Sequence, residues 1–321
     1  MSTEGEIVAE RLRLRARELA DKGDLLSAEK LKEFYGNFAE HFGPRQLQSL
    51  DGERLLNTMH DVTDKNALPY WLEFKNDDEF RTLKFGSIAG GSALKFGIFK
   101  KKEIGAWTTG SPANQVQVST DAAIDIARKH RNQLLEVCKL LDDLTDDASD
   151  PVYARLQSAI ETKAADLCDL AWAHKYFSLL YPKRLDDYHN ENYGRFHLIR
   201  ALQLPPEVKG RYVCAGRFVE LARAAGLPIV SLTAVMNSFA HTPYHNWRIG
   251  TREGDDGTSF WQQMRDGSYV SVGWPKLGDL GWLVSEDPQQ RVDKLRPVLA
   301  ERYPNAANVV TREAKELVNF L

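Results

Sequence analysis

GAWTTGSPANQVQVSTDAAIDIARKHRNQLLEVCKLLDDL, residues 105–144, contains two sequence patterns that require different secondary structures. GAWTTG and NQVQVS are short β-prone runs punctuated by glycine and polar turns. Ser119 or Thr120 can cap the helix that follows. The apolar positions of that helix recur at helical spacing: Ile124, Ala127, Leu134, Cys138 and Leu141. The stretch therefore predicts antiparallel strands followed by a long helix, and an α+β fold.

The sequence before this stretch extends both patterns. Alternating charges and leucines predict a helix over residues 6–34, and a second apolar pattern predicts another over 45–60. PYWLEF (69–74) and TLKFGSIAGGSALKFGIFKKK (82–102) are β-prone runs interrupted by glycine. We expect N-terminal helices and a small antiparallel sheet.

The sequence after it predicts a helical middle and a mixed end. TDDASDP (145–151) is typical of a linker. Helices are expected over 152–180, 190–203, 212–226 and 229–239. WRIGT and YVSVGW are predicted strands on either side of a short helix, SFWQQMRDG, that ends at glycine. The expected domains are residues 1–147, 148–240 and 241–321.

Composition excludes few functions. The chain has 321 residues, 43% of them hydrophobic and 27% charged, with a formal net charge of −3. It shows no apolar run of about 20 residues and no apolar signal core, so we expect a cytoplasmic protein without a membrane partner. Three scattered cysteines, Cys138, Cys168 and Cys214, fit reduced, mostly buried thiols.

Charge is distributed unevenly along the chain. Residues 81–131 hold nine lysines and arginines against three acids, and residues 182–217 hold seven against four. A nucleic-acid face would produce this asymmetry, and so would solvated helix faces. Tyrosines interleave with the second group of cations, which suits either a stacking surface or a helix pair with buried rings. The candidates for contacts to a DNA backbone are Lys84, Lys95, Lys100, Lys101, Lys175, Lys183 and Arg184.

Two further motifs are weaker. FGSIAGGSALKFG (85–97) lacks the Gly-Lys-Ser/Thr ending of a phosphate-binding loop and favours a tight turn, so nucleotide hydrolysis is not expected. Asp61, Asp64, Glu73 and Lys75 imitate the carboxylates and lysine of a Mg²⁺-dependent nuclease, an alternative function. The spacing of the histidines does not predict a metal site, and no cofactor is expected.

Four of the seven tryptophans lie between residues 247 and 282. Three of them, Trp247, Trp261 and Trp274, could wall a pocket in which a base stacks. Its polar contacts would come from Arg248, Thr251 and Asp279. The alternative is core packing, because tryptophan is mostly buried in small domains.

WRIGTREGDDGTSFWQQMRDGSYVSVGWPKLGDL (247–280) resembles the first half of an EVE-like domain, a relative of the YTH and PUA-type readers of modified bases. YWLEFKNDDEF, WAHKYFSLLYPKRLDDYH and HTPYHNWRIGT, in that order, are similar to proteins that contain McrB-type AAA+ ATPases of modification-dependent restriction systems. The resemblance covers the chain from about residue 30 to its end.

The resemblance implies a non-catalytic DNA-binding specificity module for antiphage defence. A flipped modified cytosine would enter a pocket walled by the three tryptophans, with Asp279 fixing a turn or reading the base edge. Its partners would be double-stranded DNA with modified bases and separate AAA+ ATPase and nuclease subunits. This chain has no AAA+ motor and ends at AKELVNFL, so we expect only a partial EVE-like barrel. Besides the DNA-binding module and the nuclease, a third possible function is a protein-docking arm that binds a separate AAA+ ATPase or nuclease subunit and does not contact DNA.

Overall fold

The structure is a computed structural model that describes residues 3–75, 85–88, 93–101, 105–111, 114–239, 252–253, 258–259, 261–267, 287–302, 304 and 307–320. The chain divides into two compact units, Met1–Pro243 and Tyr244–Leu321.

The first unit begins with four helices: α1 (Thr3–Asp21), α2 (Ala28–Phe42), α3 (Pro44–Ser49) and α4 (Gly52–His60). The single helix predicted over 6–34 was wrong, because the chain turns at Gly23, whose φ is 76°. The Ser27 hydroxyl then caps α2 by accepting a hydrogen bond from the Lys30 amide at 3.2 Å. The helix predicted over 45–60 is likewise interrupted, at Leu50 and Asp51, which are both extended.

PYWLEF forms helix rather than the predicted strand. A short α5 (Leu68–Tyr70) continues into a π-helical turn, Trp71–Lys75. Pro69 suits the first turn of a helix, where its missing N–H leaves no hydrogen bond unmade. The turn also buries two adjacent residues, Trp71 and Leu72, and the Trp71 ring lies 5.3 Å from that of Phe42. Burial of consecutive side chains on one packed surface suits a helical turn better than a half-exposed strand.

The predicted antiparallel sheet is confirmed. Its strands β1 (Ile98–Lys100), β2 (Trp107–Ser111) and β3 (Asn114–Val118) lie in the order β1-β2-β3. Phe99 pairs with Thr108, and Trp107 with Val118. The glycine-rich segment before β1 contains a 3₁₀ turn, Ala93–Phe96, so part of the predicted β-prone run is helical.

The long helix predicted after the sheet is confirmed as α6 (Thr120–Asp142). Ser119 is its cap, because its hydroxyl accepts a hydrogen bond from the Ala122 amide at 3.2 Å. All five positions of the predicted apolar stripe are buried: Ile124, Ala127, Leu134, Cys138 and Leu141. This face packs against α3 and α4.

Five helices complete the first unit: α7 (Asp150–Lys163), α8 (Ala171–Leu180), α9 (Glu191–Arg200), α10 (Ala215–Ala225) and α11 (Ile229–Phe239). One hydrophobic core runs from Val8 to Met236, and Ala148, inside the predicted linker, is buried in it. The core therefore continues across the domain boundary expected at residue 147. Helix α1 packs against α10 and α11.

In the part of the chain that the structure describes, no single helix combines the length and apolarity needed to cross a membrane. Helices α10 and α11 have this length and apolarity only as a pair, and the two helices are bent by 94° relative to each other.

The second unit contains β4 (Arg252–Glu253), β5 (Thr258–Ser259), α12 (Trp261–Gly267), α13 (Pro288–Arg302) and α14 (Ala307–Phe320). The two strands pair antiparallel. Helix α12 ends at glycine as predicted, whereas the predicted strands WRIGT and YVSVGW lie outside the described residues. Seven buried residues of α13 and α14 form a core: Val292, Leu295, Leu299, Val310, Ala314, Leu317 and Val318. The described part of the chain is mostly helical with a small antiparallel sheet, which confirms the α+β class.

Candidate functional site

A polar cleft of about 700 Å³ opens in the first unit. Its walls come from segments that are far apart in the sequence: residues 86–88, the start of α8, the α8–α9 connection, and single side chains elsewhere. Six side chains give it its chemistry: Lys95, Trp172, Asp187, His189, Tyr193 and Arg211. Polar groups converging in a cleft of this size are typical of a ligand-binding site.

A buried pair of histidines includes one residue that lines the cleft, His189. The Nδ1 atoms of His174 and His189 are 2.9 Å apart, and His189 Nε2 lies 2.9 Å from the Phe85 carbonyl oxygen. Burial lowers the pKa of both rings, that of His189 to about 3. A neutral His189 must then donate from Nε2 to Phe85 and accept at Nδ1 from His174. This arrangement leaves His174 Nε2 as a buried acceptor with no partner among the described residues.

Gly86 allows the backbone to approach this histidine. Its φ is 66°, a left-handed conformation that favours glycine. A Cβ atom at this position would overlap both the Asp187 carbonyl oxygen and the imidazole of His189. The close contact between the glycine-rich segment and the α8–α9 connection therefore requires a residue without a side chain.

The two cations of the cleft hold its walls together. Lys95 Nζ lies 2.6 Å from Glu73 Oε1 and donates to the Ile88 carbonyl oxygen at 2.8 Å. Arg211 donates from its terminal nitrogens to the carbonyl oxygens of His189 and Asp169, the latter at 2.5 Å. Its Nε has no hydrogen-bond partner within the described ranges.

Two adjacent carboxyl groups, Asp186 and Asp187, lie beside the cleft. Burial raises the pKa of Asp186 to about 8, although its Oδ1 accepts the Tyr188 amide at 2.8 Å. Burial also raises the pKa of Asp187 to about 6, opposed by a hydrogen bond with Thr233 and by the charge of Lys175. Asp187 Oδ1 has no partner in the described part of the chain. A cleft with acidic and basic groups of perturbed pKa is a functional-site candidate.

Aromatic side chains complete the walls. Trp172 is 1% exposed, and its Nε1 has no acceptor among the residues described. Tyr193 lines the cleft and is 39% exposed. The Tyr188 hydroxyl donates to Asn237 Oδ1 at 3.0 Å and so fixes both residues. The cleft thus combines ring faces, unsatisfied donors and an unsatisfied carboxylate oxygen.

Of the predicted base-binding residues, the structure describes Trp261 alone. It is the first residue of α12 and is 55% exposed, whereas Met264 of the same helix is buried. The other five predicted positions lie outside the described residues: Trp247, Arg248, Thr251, Trp274 and Asp279. At 55% exposure, Trp261 is not one of the buried core residues in the described part of the second unit. Core packing of the other tryptophans in this segment stays a prediction.

The predicted DNA-backbone cations occupy different environments. Lys175 is 1% exposed, so it is not the surface cation that was expected; α8 is buried at every residue from Trp172 to Leu179. Lys95 lies in the polar cleft, paired with Glu73. Lys84 lies outside the described residues.

Four of these cations are more accessible. Lys183 is exposed, and Lys100 and Lys101 are half-buried where β1 ends. Arg184 donates to the Thr145 carbonyl oxygen at 2.7 Å and pairs with the Asp146 carboxylate, which ties it to the predicted linker. Only part of the predicted charge surface is therefore free to meet a phosphate.

The nuclease-like residues are not gathered into one site. Lys75 Nζ lies 3.6 Å from the centroid of the Trp71 ring, a cation–π contact. Asp61 and Asp64 accept backbone amides two residues on, each at 2.8 Å, as in Asx turns. Within the described residues, no group of three or more His, Cys, Asp or Glu side chains is placed to hold a metal ion.

The chain matches no protein-family model, no curated protein and no solved structure.

Sequence reasoning missed Asp187, Arg211 and Asn237 as members of one site. Asp187 belongs to LDDYH (185–189), where two adjacent acids between helices were a visible signal. Their burial depends on packing against α11 and on the glycine-rich segment, which sequence spacing does not encode.

Proposed function

We propose that the chain is a DNA-binding specificity module of a modification-dependent restriction system, active in the cytoplasm and not catalytic itself. It would read a flipped modified cytosine in a partial EVE-like domain and recruit separate AAA+ ATPase and nuclease subunits. The observation that carries this proposal is the exposure of Trp261, at 55%, on a helix of the second unit.

The physical basis is stacking. A base stacked on an aromatic side chain gains roughly 1–3 kcal/mol, and this gain requires a ring face that is open to the base. Trp261, the first residue of α12, is 55% exposed, so part of its indole surface is accessible to a base. In the proposal, Trp247 and Trp274 add walls, and Arg248, Thr251 and Asp279 contact the base edge.

The DNA backbone would be held by a small number of cations. Lys183, Lys100 and Lys101 are the accessible candidates, on a chain whose net charge is −3. Contacts of this kind fix orientation without reading sequence, and they weaken as salt rises because bound counterions are released. Discrimination between modified and unmodified DNA would therefore depend on the aromatic residues.

The test measures binding of the full chain to duplexes with 5-methylcytosine, 5-hydroxymethylcytosine or cytosine at several salt concentrations. We expect the wild-type protein to prefer a modified duplex and Trp261→Ala to lose that preference. The affinity of the variant for the modified duplex should fall by about tenfold, because a stacking contribution of roughly 1–3 kcal/mol corresponds to a change of this order. Lys183→Ala should weaken binding to all three duplexes equally and reduce the salt dependence.

Phe74→Ala is the matched control, because Phe74 is an aromatic side chain with 44% exposure in the first unit. It should leave the preference unchanged. Equal wild-type affinity for modified and unmodified duplexes, or an unchanged preference in Trp261→Ala, would contradict the proposal.

A further inference from the structure

We propose that the polar cleft of the first unit is a second binding site, which takes a planar heterocycle of nucleobase size with an exocyclic amino group beside acceptor atoms. The ligand is either a free nucleoside or a base presented by a nucleic acid. This site goes beyond the proposed function, which depends on Trp261 in the second unit.

Size and shape limit the ligand to a small molecule. The cleft encloses about 700 Å³, and small-molecule sites in proteins span roughly 300–1,000 Å³. A base with its sugar fits this volume. The half-exposed ring of Tyr193 lies where such a ligand can stack on it.

Unsatisfied polar atoms in the walls define the chemistry of the ligand. Trp172 Nε1 and Arg211 Nε are donors without acceptors, and Asp187 Oδ1 is an acceptor without a donor, among the residues that the structure describes. A buried polar atom left without a partner costs about 1–3 kcal/mol. These three atoms are buried within the walls. Their chemical complement is a ligand with one amino group and two acceptor atoms, such as the pairing edge of cytosine with its amino group, ring nitrogen and carbonyl oxygen.

The charges of the cleft argue against an anionic ligand. Lys95 is paired with Glu73, and the terminal nitrogens of Arg211 donate to carbonyl oxygens. A phosphate would also meet the Asp187 carboxylate, whereas an amino group donates to it. A neutral, amino-bearing ring is therefore the better complement.

The walls are held in place before any ligand arrives. His189 is fixed by Phe85, and Asn237 by the Tyr188 hydroxyl. Arg211 is fixed by two backbone carbonyl groups. Preorganisation of this kind reduces the ordering that binding requires.

The experiment is calorimetric titration of the full chain with nucleoside pairs that differ in the amino group: cytidine against uridine, and adenosine against inosine. We expect the amino-bearing member of at least one pair to bind about tenfold more tightly or more, because its partner places a carbonyl oxygen against Asp187. Asp187→Asn should reduce or reverse that ratio, since an amide can donate to the carbonyl of uridine. Binding should also weaken from pH 7.5 to pH 5, as Asp187, whose pKa lies near 6, becomes protonated.

A second arm separates the two sources of the ligand. Oligo(dC) and oligo(dT) are titrated in the same way, and a preference for oligo(dC) that Asp187→Asn removes assigns the site to a base within a nucleic acid. Phe74→Ala should leave both nucleoside and oligonucleotide ratios unchanged. The duplex reader is tested separately, by Trp261→Ala on modified and unmodified duplexes, so failure here and failure of the duplex reader are distinguishable. Equal affinity within every pair, or no binding of any probe at millimolar concentration by protein that unfolds cooperatively, would overturn the proposal.

Discussion

Replacing Gly86 by alanine is expected to destabilise the first unit by roughly 3 kcal/mol. Holding a residue with a Cβ in the left-handed conformation costs about 1–2 kcal/mol, and φ at Gly86 is 66°. The new Cβ would overlap the Asp187 carbonyl oxygen and the His189 ring, so the chain must move apart there. That movement breaks the 2.9 Å hydrogen bond from His189 to Phe85 and leaves buried groups unpaired, at a further cost of about 1–3 kcal/mol.

Gly23→Ala is the matched control for this substitution. Its φ of 76° also lies in the left-handed region. Apart from its chain neighbours, no described residue has an atom within 4 Å of the new Cβ, so only the conformational cost applies. Thermal unfolding followed by circular dichroism should show a fall in Tm of about 6–12 °C for Gly86→Ala and a smaller fall, about 2–8 °C, for Gly23→Ala. Equal falls for the two variants would refute the close approach of the glycine-rich segment to the α8–α9 connection.

Three other predictions concern buried polar groups. Burial raises the pKa of Asp186 to about 8, so the folded protein keeps this carboxyl group protonated where the unfolded chain has lost the proton. The contribution of Asp186 to stability is therefore complete below pH 3.8 and is lost as the pH rises through 8. Urea unfolding at about pH 5 and pH 8 should show this decline for the wild-type protein and a smaller one for Asp186→Asn. Burial raises the pKa of the Cys138 and Cys214 thiols to about 12, so both should react with a thiol reagent only after unfolding, measured by absorbance. Tyr176→Phe should lower the free energy of unfolding by about 1–3 kcal/mol, because it removes a 2.8 Å hydrogen bond to the buried Phe42 carbonyl.

Local signals predicted the parts of the fold that depend on neighbouring residues. The cap at Ser119 and the stripe of α6 are encoded within one segment, and α11 has the bounds that its apolar pattern predicts, 229–239. The helix expected over 6–34 failed because its charge pattern continues through Gly23, and one residue in the left-handed conformation ends α1. The helical spacing of the apolar residues alone does not reveal the end of α1 before Gly23.

Tertiary packing decided the rest. PYWLEF is a short apolar run, which suits a strand or a buried helical turn equally well, and contact of Trp71 with Phe42 selects the turn. Lys175 resembles a surface cation by its place among tyrosines, yet α8 is enclosed by other helices. Lys95, Asp187 and Arg211 all line the polar cleft. They are far apart in the sequence, and no motif or regular spacing connects them.

The most direct test of the reader proposal is base extrusion itself. A duplex carries 5-methylcytosine with 2-aminopurine as its neighbour, whose fluorescence rises when the stacked methylcytosine leaves the helix. With saturating wild-type protein we expect a rise on this duplex, no rise on the unmodified one, and a loss of the rise in Trp261→Ala. An unchanged signal at saturation, or the same rise on both duplexes, would contradict a stacking role for Trp261.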